Sequence, residues 1–375
     1  MPYAIGILGG GQLGRMLLQE AISWDVAIKV LDPNPEAPCA TFAHAFVTGS
    51  LTDYDTVLQF GQDCDVISIE IENVNTEALE ALEKQGKTVI PSPRTIRLIQ
   101  DKRTQKQFYR AHAIPTADFV LIENQDELRQ HTERLPAVQK LGREGYDGRG
   151  VQVLQTPEEF GKGFDAPSLL EELADIRAEI AVMLARTPAG EVVSYPPTEV
   201  IYHPEHNLVD YLLAPARIPE RVAQRADTIA RQLVEKMDFV GLLAVELFWT
   251  NDDEIWVNEV APRPHNSGHH TIEACITSQY EQLLRVLLGV PLGATTQRQP
   301  ALMLNLLGAP HQTGTAKVEG WQEALAEPNV FLHLYGKKQT KPFRKMGHVT
   351  LLDDDLGVLY ARKDRLEKKL RVVAE

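Results

Sequence analysis

The first hundred residues predict a doubly wound α/β domain, and the remainder predicts mixed α+β structure ending in a β-rich segment. Three observations carry this reading. Short apolar runs alternate with amphipathic helical patterns up to about residue 100, the mark of a parallel sheet with helices on both faces. Between residues 119 and 185 the chain breaks into short strand-like runs and turns. A 375-residue chain with 43% hydrophobic residues also has material for two or three cores.

Taken in order, residues 3–8 form an apolar strand, and Met16, Leu17, Ala21 and Trp24 follow at helical spacing. Residues 26–31 predict a second strand, closed by Asp32 and stopped by Pro33 and Pro35. Residues 65–71 and 88–90 predict further strands, on either side of a helix over 76–85 that places Ala78, Leu79 and Leu82 on one face. A helix with Lys102, Arg103, Lys106 and Arg110 on its polar face leads to Ile114-Pro115. Strands are expected at 137–141, 151–154, 169–170 and 179–184, with a helix near 157–164. Residues 220–237 have the pattern of a long amphipathic helix. Residues 240–249 and 254–260 then predict a hairpin around Asn251, Asp252 and Asp253. Residues 280–288 are helical and 289–300 a linker, and the β-rich end closes with a charged helix over 356–372.

The formal net charge of -14 argues against sequence-independent nucleic-acid binding, although it leaves room for a local basic pocket. Cys39, Cys64 and Cys275 are odd in number and widely spaced, which predicts reduced, buried thiols and no zinc site. With a strand expected from Tyr3 there is no room for a signal peptide, and there is no apolar run of about 18 residues, so a cytoplasmic protein without a membrane partner is expected.

Several motifs carry chemistry. The run 140–150 (KLGREGYDGRG) sets Gly145, Gly148 and Gly150 among Arg143, Asp147 and Arg149, ten residues after Lys140. Glycine lets backbone amides approach an anion, and the cations supply fixed charge for phosphate. Gly9, Gly11 and Gly14 between strand and helix fit a dinucleotide fingerprint, with Asp32 where a ribose-binding acid would sit; a tight turn is the plainer explanation. Glu70 and Glu72 share one face where a strand runs out into a loop, a place where ligands bind in open sheets. Glu246 and Glu259 sit on the two apolar arms of the 240–260 hairpin, where carboxylates are costly unless paired or bound to a cation such as Mg²⁺. Arg263, His265 and Asn266 offer donors for a small oxyanion, and Lys337, Lys338, Arg344 and Lys345 cluster near glycines.

In this order, 9–16 (GGGQLGRM), 72–74 (ENV), 101–106 (DKRTQK), 145–150 (GYDGRG), 258–269 (NEVAPRPHNSGH) and 344–348 (RKMGH) resemble the carboxyaminoimidazole ribonucleotide synthase family of the ATP-grasp superfamily across almost the whole chain. The resemblance implies three domains: an N-terminal pre-ATP-grasp domain over 1–101, an ATP-grasp domain over 102–295 and a small C-terminal β-rich domain over 296–375. It implies ATP and Mg²⁺, with bicarbonate and aminoimidazole ribonucleotide as substrates, a homodimer, and handover of product to the mutase of the same pathway. Lys102 and Lys140 would meet the ATP phosphates. Gly145, Tyr146, Asp147, Gly148, Arg149 and Gly150 would form the lid loop and, with Val151, bind ATP. Glu171, Glu172, Leu173 and Ala174 would line the adenine and its hinge, and Glu179 the ribose. Glu246 and Glu259 would hold Mg²⁺, with Asn258 alongside. Arg263, His265 and Asn266 match the bicarbonate site. Gln12, Leu13, Glu72, Tyr146, Asp147 and Arg149 would meet the aminoimidazole nucleotide, and Lys337, Arg344 and Lys345 its phosphate.

Three positions depart from the pattern. Arg143-Glu144 stand where the family often has Thr-Gly, and Ala261 where many ATP-grasp enzymes have Asn, which leaves the number of metal ions open. A family histidine aligns with either Tyr202 or His203. A formate-dependent glycinamide ribonucleotide transformylase, an NAD-dependent oxidoreductase and a non-catalytic nucleotide-binding regulator are the competing functional readings.

Overall fold

A computed structural model of the chain describes residues 4–143, 150–203 and 208–375. Its first sheet is parallel throughout, in the order β3-β2-β1-β4-β5: β1 (Ile5–Leu8), β2 (Ile28–Asp32), β3 (Ala45–Thr48), β4 (Val66–Ile69) and β5 (Thr88–Val89). Buried on both faces, β1 and β4 have no polar alternation, reading IGIL and VISI. Helix Gln12–Ser23 covers one face with Leu13, Met16, Leu17 and Ala21. Val57, Phe60, Leu79 and Leu82 of helices Tyr54–Gly61 and Thr76–Lys84 cover the other. Each fully buried Leu or Ile contributes about 1.5–3 kcal/mol, so this domain rests on apolar burial rather than on its few exposed ion pairs. The strand order reverses at β1, so the loops after β1 and β4 face each other across a switch point.

The expected strand over 65–71 stops at Ile69, which frees Glu70 and Glu72 from a shared strand face. β3 and helix Tyr54–Gly61 are not among the elements expected from the sequence; β3 is only half-buried and edges the sheet.

A four-stranded antiparallel sheet follows, in the order β6-β9-β7-β8: β6 (Phe119–Ile122), β7 (Ala137–Leu141), β8 (Val151–Leu154) and β9 (Ser168–Glu172). Leu173, Ala174 and Asp175 then lead into the large sheet. Its strands β10 (Ile176–Arg186), β11 (Val192–Ser194), β12 (Thr198–Tyr202), β13 (Val209–Ala214), β14 (Gly241–Thr250) and β15 (Ile255–Ala261) pair antiparallel. Helix Glu220–Lys236 lays Val222, Ala226, Ile229 and Leu233 on β10, β14 and β15. The sheet then crosses the linker, because β13 pairs with β16 (Ala301–Leu307), which pairs with Lys345–Leu352, which pairs with Val330–Leu334.

At the end, the helix expected over 356–372 stops at Lys369, and Arg371–Ala374 becomes a strand paired with Gly314–Glu319. Val372 and Val373 are β-branched and serve that pairing. No helix among the described residues is long and apolar enough to cross a membrane. All three cysteines are buried free thiols.

Candidate active site

Local chain geometry brings the acidic hairpin pair face to face. Glu246 on β14 is the register partner of Glu259 on β15, and the register slips immediately afterwards, where Leu247 pairs with Val257. Asn258 is thus the extra residue of a bulge. A regular strand would send Asn258 and Glu259 to opposite faces, and a bulge re-aims side chains. Here both reach one cluster of lysines: Asn258 Oδ1 accepts from Lys140 Nζ at 2.8 Å, and Glu259 pairs with Lys102.

Lys140 on β7 also pairs with Glu171 on β9 at 2.7 Å. Val138 is the partner of Glu171, so Lys140 is its diagonal neighbour on the same face. The other Glu171 oxygen takes Lys106 Nζ at 2.6 Å. Lys106 is therefore not on a solvent face as expected from its helix; it is only 3% exposed. Lys102 and Lys106 are four apart on helix Lys102–Ala111 and turn the same way. That spacing was the available signal.

Electrostatics mark this cleft as short of positive charge at one point. Burial raises the Glu171 carboxyl, but Lys140 and Lys106 outweigh it and hold it below the usual range. The Lys102 ammonium holds Glu259 well below that range despite burial. Glu246 goes the opposite way: burial, then the charges of Glu259 and Glu179, push it up. Burial also pushes Glu179 up to about 7, against a hydrogen bond from Tyr202. Lys106 falls to about 8 through burial, with Glu171 opposing. Among the described residues no three His, Cys, Asp or Glu side chains gather as a metal cluster. Two facing carboxylates, one driven toward protonation, suit a hard cation that completes its shell with substrate oxygens.

A second cluster joins the N-terminal and later domains. Arg263 Nε meets Glu72 Oε1 at 2.9 Å, and Gln100 Nε2 donates to the carbonyls of Glu72 and Val74, fixing that loop. His265 accepts at its backbone carbonyl from Gln279 Nε2 and sits 3.7 Å from Glu246. Asn266 is 7% exposed. Lys337 Nζ donates to Gln12 Oε1 and to the Lys345 carbonyl, both at 2.6 Å, while Arg344 donates to the Gln339 carbonyl at 2.6 Å. The charge of Lys345 acts on Glu246, which links this cluster to the acidic pair.

The fingerprint loop is already filled. Asp32 Oδ2 accepts from the Gly10 amide at 2.7 Å and Oδ1 from the Asn34 amide at 2.8 Å, so the expected ribose acid is tied to its own backbone. Glu70 Oε1 accepts from the Leu13 amide at 3.1 Å, at the start of helix Gln12–Ser23.

Lys102, Lys140, Glu171, Asn258, Glu259 and Glu246 thus come together, as do Gln12 with Lys337 and Glu72 with Arg263. Val151 pairs with Lys140, and Gly150 begins that strand's approach at a φ of 72°. Glu172, Leu173 and Ala174 form the passage between the two sheets. Gly145, Tyr146, Asp147, Gly148 and Arg149 lie outside the described residues. Tyr202 hydrogen-bonds Glu179. The sequence marks Lys106 only as part of a polar helix face, and Glu70 only as a strand-end carboxylate beside Glu72.

Comparison with known proteins agrees with this geometry. Residues 3–100 match the ribonucleotide synthetase preATP-grasp domain, 107–280 the ATP-grasp domain, and 301–362 the phosphoribosylaminoimidazole carboxylase C-terminal domain. An N5-carboxyaminoimidazole ribonucleotide synthase of Synechococcus elongatus is 39% identical, over 92% of this chain and 89% of its own. The crystal structure of N5-carboxyaminoimidazole ribonucleotide synthetase from Thermotoga maritima superimposes with a TM-score of 0.91 at 38% identity, covering 100% of both chains. The Aspergillus clavatus N5-carboxyaminoimidazole synthase, solved with ADP and 5-aminoimidazole ribonucleotide, gives 0.88 at 34% identity over 98% of each chain.

Proposed function

The chain belongs to the N5-carboxyaminoimidazole ribonucleotide synthase family of ATP-grasp ligases, and from that premise we propose that it carboxylates 5-aminoimidazole ribonucleotide with bicarbonate and ATP in purine biosynthesis. The observation that supports this most directly is the facing Glu246/Glu259 pair with Lys102 and Lys140 beside it, next to the Arg263–Glu72 contact.

Bicarbonate attacks the γ-phosphorus of ATP, giving ADP and carboxyphosphate; the exocyclic amine then takes the carboxyl carbon, releasing phosphate and a proton. Lys102 and Lys140 exchange their present carboxylate partners for phosphate oxygens, which costs little because both are already desolvated and oriented. Glu246 and Glu259, with Asn258 alongside, would hold Mg²⁺. Bound there, Mg²⁺ neutralises charge on the transferring phosphoryl group. Glu171, Glu172, Leu173 and Ala174 border the base and Glu179 accepts from the ribose hydroxyls. Arg263, His265 and Asn266 orient bicarbonate by donating to its oxygens. Gln12, Leu13, Glu72, Tyr146, Asp147 and Arg149 hold the nucleotide, and Lys337, Arg344 and Lys345 its phosphate. Residues 145–150 with Val151 exclude water from carboxyphosphate, which hydrolyses readily. The same reading carries a homodimer in the cytoplasm that hands its product to the mutase of the pathway.

Phosphate release from ATP, measured with bicarbonate and aminoimidazole ribonucleotide omitted in turn, tests the reading. Full turnover requires both. Turnover that instead requires formate and glycinamide ribonucleotide overturns it.

A further inference from the structure

Glu70 has no role in the reaction as assigned above, yet it lies at the meeting point of the two substrate clusters. Its amide donates to the Leu8 carbonyl at 2.7 Å, which fixes the residue immediately after β4. Its carboxylate accepts from the Leu13 amide. The two fingerprint glycines nearest to it exist for its sake: a Cβ at Gly9 would fall 2.9 Å from Glu70 Oε2, and one at Gly11 would overlap Oε1. A helix N-terminus in a glycine loop is a phosphate cradle. Here a carboxyl group of the chain occupies it; burial pushes that carboxyl up to about 7, with the charge of Arg263 and the Leu13 amide opposing. The contact also propagates: Leu13 follows Gln12, whose side chain receives Lys337.

We propose that Glu70 is a positioning residue, an internal carboxylate in place of phosphate that fixes the Gln12–Leu13 turn so that the nucleotide is held in register. This rests on the carboxylation reading above. Glu70 acts through the Leu13 amide. The fingerprint is consequently closed to a dinucleotide, and its glycines serve the second substrate instead.

Steady-state phosphate release by the full-length protein tests this, with the KM of each substrate measured separately and the melting temperature recorded alongside. Glu70→Gln keeps shape and loses charge. At pH 8, where the carboxylate is ionised, it should raise the KM for aminoimidazole ribonucleotide about tenfold, the scale of one charge-assisted hydrogen bond, and leave the KM for ATP within about twofold. Formate should restore part of the activity of Glu70→Ala by refilling the cradle. Gly11→Ala should reproduce the Glu70→Gln defect and add little to Glu70→Ala, because both remove the same contact. Should Glu70→Ala fail to fold, Glu70→Gln and Gly11→Ala decide the matter. Unchanged KM values, a parallel rise for ATP, or a loss that merely tracks melting temperature overturns the proposal. A wild-type protein that ignores both substrates overturns the carboxylation reading instead.

Discussion

Two regions of this molecule carry the sequence marks of a phosphate site, and they differ in what meets their donors. At the switch point the glycine loop is satisfied from within, by Asp32 on the Gly10 amide and Glu70 on the Leu13 amide. In the cleft, Lys102, Lys106 and Lys140 face Glu171, Glu246 and Glu259, and burial beside Glu259 leaves Glu246 pushed toward protonation. In the first region these amide donors already meet carboxylates of the chain; the second gains from an arriving cation and phosphate. A glycine motif names a cradle, whereas the balance of donors and acceptors says what fills it.

Three measurements press on that difference. The largest effect is expected for Glu259→Gln, which should lower turnover a hundredfold or more, about 3 kcal/mol of transition-state stabilisation. Near-normal activity at saturating Mg²⁺ would remove its metal role and make the two regions alike. Glu246→Gln should also abolish most activity, yet raise the melting temperature of the ligand-free protein by about 2 °C or more. The sign follows from its raised carboxyl. The folded state prefers Glu246 protonated, so ionisation at neutral pH destabilises it. The advantage of the variant should be full above the raised value and vanish as pH falls below the ordinary glutamate range. A ligand-free variant that melts lower than wild type at pH 8 would mean that Glu246 is satisfied as it stands. The smallest effect belongs to the fingerprint. NADH should show no saturable fluorescence change up to about 1 mM with the wild-type protein, and Asp32→Asn should not create one. Saturable NADH binding would reopen the cradle as a ligand site.

Much of this was legible in the sequence, for reasons that particular residues make plain. The 240–260 hairpin announced itself because two apolar strands each carried one carboxylate that nothing local could satisfy, and Glu246 and Glu259 prove to be register partners. Lys140 and the following glycines were legible as residue types suited to phosphate. Lys106 was hidden because a lysine on a charged helix looks solvated, and only its buried partner Glu171, sixty-five positions away, says otherwise. Glu70 was legible as a strand-end carboxylate but given the wrong setting, because period-2 reasoning continued a strand that ends at Ile69. The bulge at Asn258 leaves no trace in residue type, although it is what turns two consecutive residues toward one cluster. The last strand, Arg371–Ala374, was absorbed into a helix because the charged run Lys363 to Lys369 continues smoothly into it.

The pairing of β13 with β16 has a consequence for how this chain can be divided. Tyr211 to Ala214 bond directly to Ala301 to Leu304, so the residues after the linker complete a sheet begun a hundred positions earlier. The seam visible in the sequence is not a seam in the hydrogen bonding. A fragment ending near residue 295 would leave β13 as a bare edge, ready to recruit strands from neighbouring chains. The carboxylates of β14 and β15 and the cation that opens Lys345–Leu352 thus ride on one continuous plate. The smaller sheet bearing Lys140 meets that plate at Asn258, and Leu173 to Asp175 join the two.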